Sequence, residues 1–243
     1  MWHASVLTLF PEMFPGGLSA SIPGRALEKG IWKLDTVQIR DFASGNHKAV
    51  DDTPFGGGAG MVMKPDVLHD ALSHAHKQNN GKRKIIYMSP RGKPLKQNDL
   101  HENLSTYPDG ALILCGRYEG VDQRVIDYWK ENHGLEEVSI GDYILSGGEL
   151  GAQVYLDATV RLLDNAVGAK ESLQIESFEL DLLEFSQYTR PYVWNNIEVP
   201  EVLVSGNHQK ISIFREQQSC EITQKNRPDL WEIYKKNNPG CIR

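Results

Sequence analysis

Three cysteines, Cys115, Cys220 and Cys241, are all that the 243 residues contain, and they lie far apart. An odd number without a CxxC pair argues against a disulfide framework and a thiolate metal centre, and leaves reduced thiols as the expectation. No run approaches the roughly 18 apolar residues needed to cross a bilayer. The N-terminal MWHASVLTLFPEMF lacks the basic flank and small-residue cleavage site of a secretory signal, so a cytoplasmic protein with no membrane partner is expected. Two nucleotide-binding fingerprints are also missing: no GxGxxG follows a strand, and no GxxxxGK precedes Ser or Thr. Gly56, Gly58 and Gly60 are spaced i, i+2, i+4, which is the wrong pattern for a dinucleotide site or a P-loop.

What is present is ordinary in bulk and uneven in detail. With 40% hydrophobic and 24% charged residues, the chain suits one large domain plus a small one. A net charge of -6 speaks against indiscriminate nucleic-acid binding, but its distribution is asymmetric. Residues 171–205 carry 1 basic and 7 acidic side chains, whereas residues 206–243 carry 7 and 4. Lys82, Arg83, Lys84, Arg91, Lys93 and Lys96 form an acid-free stretch, either a phosphate-facing strip or a solvated loop.

SVLTLF, TVQIRDF, KIIYMS, ALILCG and EVSIG read as strands, and KPDVLHDALSHAHKQ, LKQNDLHENLS and VDQRVIDYWKENH as helices. Such alternation predicts an α/β domain with a largely parallel sheet. A further helix is expected from about Gly148 to Leu163, where Leu150, Val154, Ala158 and Leu162 form a stripe for the core or a subunit interface. The domain is expected to span 1–164. An acidic, aperiodic stretch then predicts an interdomain linker over 165–205, and 206–243 a small basic helical domain. Asn207 suits the cap of its first helix and Pro228 the start of its second. His69, His74 and His76 share no helical face with good ligand geometry and read as a solvated surface.

Three glycine-dense segments carry the functional signal: PFGGGAGM (54–61), CGRYEG (115–120) and SIGDYILSGGEL (139–150). Each is either a tight turn or a ligand loop, and loops at the ends of parallel strands are where α/β proteins bind ligands. Together with LFPEMF, RDF, YMSP, YTRP and SGNH, these segments closely resemble, in order and spacing, the TrmD family of tRNA (guanine-N1)-methyltransferases.

The resemblance implies a SPOUT-class fold, a parallel-sheet domain whose C-terminal part closes a deep trefoil knot. It also implies a homodimer with shared active sites, S-adenosylmethionine as cofactor, the tRNA anticodon stem-loop as partner, and methylation of guanine at position 37. Magnesium dependence is implied as well, but spacing assigns no ligand. Carried onto this chain, the cofactor pocket would comprise Tyr87, Ser89, Pro90, Gly116, Glu119, Ile140, Tyr143, Leu145, Gly147 and Gly148. His47, Asp51, Asp52 and Gly60 match positions on the substrate side. Glu119 beside Arg117 can also be read as a surface ion pair.

N1 of guanine carries a proton at neutral pH, so a base must remove it, and charge then spreads to the exocyclic oxygen, where a fixed cation stabilises the transition state. The resemblance gives these roles to Glu176 and Arg161. Here the chain departs from the family: a glutamate stands in IESF where an aspartate is usual, and the extra methylene moves the carboxylate by about 1 to 1.5 Å. Gly151 likewise replaces a common proline after GGEL. Two alternatives compete with this reading. A non-catalytic tRNA-binding paralogue would bind tRNA without methyl transfer, and a small-molecule enzyme would use the glycine loops for a phosphate-bearing substrate.

Overall fold

The computed structural model describes residues 1–78, 81–168 and 176–239. It comprises two compact units, Met1–Gly168 and Ala169–Arg243.

The first unit contains strands β1 (Trp2–Thr8), β2 (Trp32–Gln38), β3 (Asp51–Asp52), β4 (Val62–Met63), β5 (Lys84–Pro94), β6 (Gly110–Cys115) and β7 (Glu136–Ser139). Its helices are α1 (Ser21–Glu28), α2 (Pro65–Lys77), α3 (Gln97–Thr106), α4 (Gln123–His133) and α5 (Glu149–Val160). Five strands form one sheet in the order β2-β1-β6-β5-β7, paired in parallel throughout. A parallel sheet needs both faces covered, and the period of two along β6 provides for it. Leu112 and Leu114 meet Leu68 and Leu72 of α2 and Trp129 of α4 on one side. Ala111, Ile113 and Cys115 meet Ala26 of α1, Leu100 of α3 and Tyr155 and Leu156 of α5 on the other. Local chemistry sets the helix ends: the Asp122 carboxylate accepts the Arg124 N–H at 3.0 Å to open α4, and Gly134 closes it at φ +68°.

Each of the five expected strands overlaps a strand of the sheet, although TVQIRDF is extended only to Gln38 and Ile39–Phe42 form a 3-10 turn, and the sheet is parallel as the alternation with helices predicts. The helix α1 is not among the helices read from the sequence, and it carries Pro23 and Gly24. Pro23 lies in the first turn, where its missing N–H costs nothing, and Gly24 presses so closely on the Ser19 carbonyl that no side chain would fit. The Leu150 to Leu162 stripe is divided. Ala158 and Leu162 pack on the core, whereas Leu150 and Val154 are half exposed.

The second unit contains a hairpin, β8 (Val193–Trp194) and β9 (Ile197–Glu198), turned by Asn195 and Asn196, both at positive φ. Helices α6 (Glu201–Val204), α7 (His208–Asn226) and α8 (Pro228–Asn237) follow. Asn207 caps α7 by accepting the Lys210 N–H at 3.0 Å, and Pro228 opens α8, as the sequence indicates. The stretch read as a linker is joined to these helices from residue 176 onward. Leu183 donates its N–H to Thr223 Oγ1 at 2.8 Å, Leu182 is buried, and the Arg227 guanidinium covers Phe178. Residues 169–175 of the expected linker and Cys241 lie outside the described residues. Among the described residues, no helix is long and apolar enough to cross a membrane.

Candidate active site

Three adjacent strands, β5, β6 and β7, deliver their C-terminal loops to one place. The strand β5 pairs with β7 over Ile86–Met88 and again at Lys93 and Pro94, so residues 89–92 bulge outward. Gly92 permits this, since a side chain there would enter the backbone of Glu137 and Val138. In the bulge, Ser89 is buried and its Oγ accepts the Arg91 N–H at 3.2 Å. The β7 loop returns from the sheet edge, and the Gly148 N–H bonds the Gly116 carbonyl at 3.0 Å before α5 starts. A Cβ on Gly148 would lie 2.8 Å from Cys115 Cα, and one on Gly116 would lie 2.9 Å from the Tyr87 hydroxyl. These glycines are where backbone must touch backbone or ring.

Between the loops lies a cavity of about 490 Å³. Tyr87, Ser89, Pro90, Gly116, Glu119, Ile140, Tyr143, Leu145, Gly147 and Gly148 all line it. Its apolar side chains stand beside backbone polar groups, and Tyr143 donates its hydroxyl to the Ile140 carbonyl at 3.0 Å. That composition suits a flat heteroaromatic ligand with polar edges. Burial, with a smaller contribution from Glu137, pushes Tyr87 up to about 12, so it stays a neutral hydrogen-bonding group.

Arg117 pairs with Glu149, and not with its sequence neighbour Glu119. Its Nε lies 2.9 Å from Glu149 Oε2, as an ion pair whose N–H is not aligned on the oxygen. The guanidinium also covers Phe10 at 4.3 Å and donates to the Ser146 carbonyl and to Met13 Sδ, both at 3.3 Å. Glu149, fully buried in the first turn of α5, accepts the Thr8 hydroxyl at 2.7 Å. One arginine thus fastens the LFPEMF segment, the β6 loop and the β7 loop together. Sequence reading missed this role because the partners are 32 residues apart with no periodic relation.

The glycine segment 54–61 forms the tip of the β3–β4 hairpin, stitched to the β6 loop by Glu119 N–H to the Met61 carbonyl at 3.0 Å and Met63 N–H to the Gly120 carbonyl at 2.9 Å. Glu119 lies over Gly60, whose φ of +91° and lack of a side chain make room for it. Asp51 and Asp52 form β3, and His47 is exposed in the preceding turn. The hairpin tip also holds Phe55 at 98% exposure, a residue not singled out from the sequence; an aromatic beside three glycines was the available signal.

Other expected residues lie elsewhere. Arg161 is the C-cap of α5 and is not among the cavity lining. Glu176 is half buried in the second unit. The basic stretch does not form a strip: Arg83 is buried and donates to Ser5 Oγ and the Ala75 carbonyl, Lys84 is buried against Glu136 and Tyr107, and Lys93 pairs with Asp99. Arg83 meets α2 and Lys84 meets the end of α3, so both stems are covered by the layers that flank the sheet, which charge counting cannot reveal. His69 and His76 are half buried against Trp129 of α4, so they pack where a solvated face was expected. Among the described residues, no group of three or more His, Cys, Asp or Glu is arranged to hold a metal.

The family model described as tRNA (Guanine-1)-methyltransferase TrmD matches residues 2–233. A tRNA (guanine-N(1)-)-methyltransferase of Brucella ovis is 57% identical over 238 residues, covering 97% of this chain and 94% of the relative. Its namesake in Brucella melitensis biotype 1 has the same identity and coverage, and that of Brucella suis is 57% identical with 97% and 93% covered. The cavity at the ends of β5, β6 and β7 and the stitched glycine hairpin are therefore features of a chain that belongs to the tRNA (guanine-1)-methyltransferase TrmD family.

Proposed function

We propose that this tRNA (guanine-N1)-methyltransferase takes its methyl group from S-adenosylmethionine held in the β5–β7 cavity, delivers it to N1 of guanine 37 in the tRNA anticodon loop, and builds each active site from two subunits. The observation that carries the reading is the convergence of three strand-end loops on one cavity, with Glu119 joining that cavity to Gly60 of the hairpin. When bound, S-adenosylmethionine supplies an electrophilic methyl on a sulfonium. Backbone groups of the 140–148 loop would read the adenine edge, with Ile140 and Leu145 against its faces and Glu119 toward the substrate side. His47, Asp51, Asp52 and Gly60 would meet the target nucleotide.

Glu176 takes the N1 proton as the nitrogen attacks, and the Arg161 guanidinium faces the exocyclic oxygen on which charge accumulates. Arg161 stands 13 residues beyond Gly148 along α5, about 20 Å at 1.5 Å per residue, too far to serve the cavity of its own chain. A two-fold homodimer lets the partner supply it, and the half-exposed Leu150 and Val154 on α5 suit such a contact. The return of the 140–148 loop from the edge strand to the middle of the sheet is in keeping with a knotted SPOUT topology. The helices of the second unit would grip the anticodon stem. Nothing in the cavity or the family match favours a non-catalytic tRNA-binding role.

The test is transfer of labelled methyl from S-adenosylmethionine to tRNA transcripts with guanine or adenine at position 37. Transfer to the guanine transcript alone, lost in Glu176→Gln, is the expected result. Full activity of the glutamine variant would assign the base to another group.

A further inference from the structure

The second unit has a cavity of its own, about 410 Å³, that none of the proposed active-site residues lines. Its walls include Phe185, Tyr188, Tyr192, Leu203, Ile211 and Arg215. The volume falls within the roughly 300–1,000 Å³ of small-molecule sites. Two charged residues line it, Arg190 and Arg215, and both are cations. The Arg215 guanidinium sits 4.7 Å from the Phe185 ring centroid, so an aromatic restrains the cation before any ligand arrives. Tyr188 and Tyr192 each remain 44% exposed, and the Tyr192 hydroxyl is tethered to Glu198 at 3.4 Å.

From these features we infer that the cavity is a subsite for one unstacked nucleotide of the substrate RNA, its base against the tyrosines and its phosphate on the arginines. Each part of the nucleotide has a counterpart. Aromatic faces stack on any base, the apolar floor of Leu203 and Ile211 replaces the neighbouring base of a helix, and a guanidinium pairs with phosphate. The lining holds two cations and no acid, which suits an anionic guest, although Glu198 accepts the Tyr192 hydroxyl and the stretch from 176 to 205 is acidic overall. The inference rests on the tRNA reading above, and assigns part of RNA recognition to residues 185–215, distinct from the methyl-transfer site.

The test uses the full-length protein, a tRNA transcript and fluorescence anisotropy across a salt series. Tyr188→Ala should weaken tRNA binding by about 5- to 20-fold with little change in salt dependence, and Tyr188→Trp should restore it. Arg215→Gln, at an exposed position, should reduce the slope of log affinity against log salt by about 0.7. S-adenosylmethionine affinity and thermal midpoint should match wild type in all three variants. Unchanged tRNA affinity and salt slope, or dissociation of a dimer in place of RNA loss, would overturn the inference. Failure of the wild type to bind tRNA would sink the functional reading first, which separates the two.

Discussion

The two cavities are similar in size, about 490 and 410 Å³, yet they are made by opposite means. In the first unit the space is shaped by missing side chains. Gly116, Gly147 and Gly148 let three loops close on one another, and one arginine holds them. In the second unit it is shaped by side chains that are present, rings on the segment 185–192 ahead of the hairpin and a stacked guanidinium on α7. A site defined by backbone contact tolerates no added atoms, whereas one defined by rings tolerates another ring. The first suits a single small ligand of fixed shape, and the second a polymer recognised by stacking and charge.

The contrast can be broken most severely at Gly148. Gly148→Val drives a branched side chain against Cys115 Cα, and overpacking here should lower S-adenosylmethionine affinity by more than 100-fold, measured by calorimetry. Arg117→Ala comes next, because it leaves the Glu149 carboxylate buried without its cation; about 3 kcal/mol of stability should be lost in urea unfolding, and less in the double variant Arg117→Ala, Glu149→Gln. Smaller still is the alkaline limit. Burial pushes Tyr87 and Tyr155 to about 12 from an ordinary value of 10.0, so the fold favours their neutral forms. Their contribution is complete below pH 10.0 and disappears as pH rises through about 12, and Tyr155→Phe should flatten that part of the stability profile. The smallest effect belongs to Phe55→Ala, which should change stability by less than about 0.5 kcal/mol at so exposed a position, while kcat/KM for tRNA falls.

What could be read in the sequence follows the same division. Strands and long helices announce themselves by periodicity, and the glycine segments by composition, so the sheet and the loops that converge on its tips were legible. Helix α1, absent from the sequence reading, carries Pro23 and Gly24, residues that disrupt helices in isolation but fit where the chain packs. The Arg117 to Glu149 pair was invisible because it joins the β6 loop to the first turn of α5 through space, and local charge wrongly suggested Glu119. Arg83 and Lys84 are consecutive and both buried, so their burial comes from cover on both faces of the sheet, and counting cations cannot supply that. The residues proposed to hold the cofactor came from resemblance and not from periodicity. Their common cavity nevertheless follows from topology, since β6, β5 and β7 are neighbours.

The central claim, that the cavity of one subunit works with Arg161 of the other, is tested most directly by mixing two inactive proteins. Leu145→Arg should block the cavity and leave Arg161 intact, whereas Arg161→Ala should do the reverse. After unfolding and refolding together in equal amounts, random pairing makes half the dimers mixed, each with one intact composite site, so methyl transfer should return to about a quarter of the wild-type level. Mixtures that stay as inactive as either variant alone would contradict a site shared between subunits.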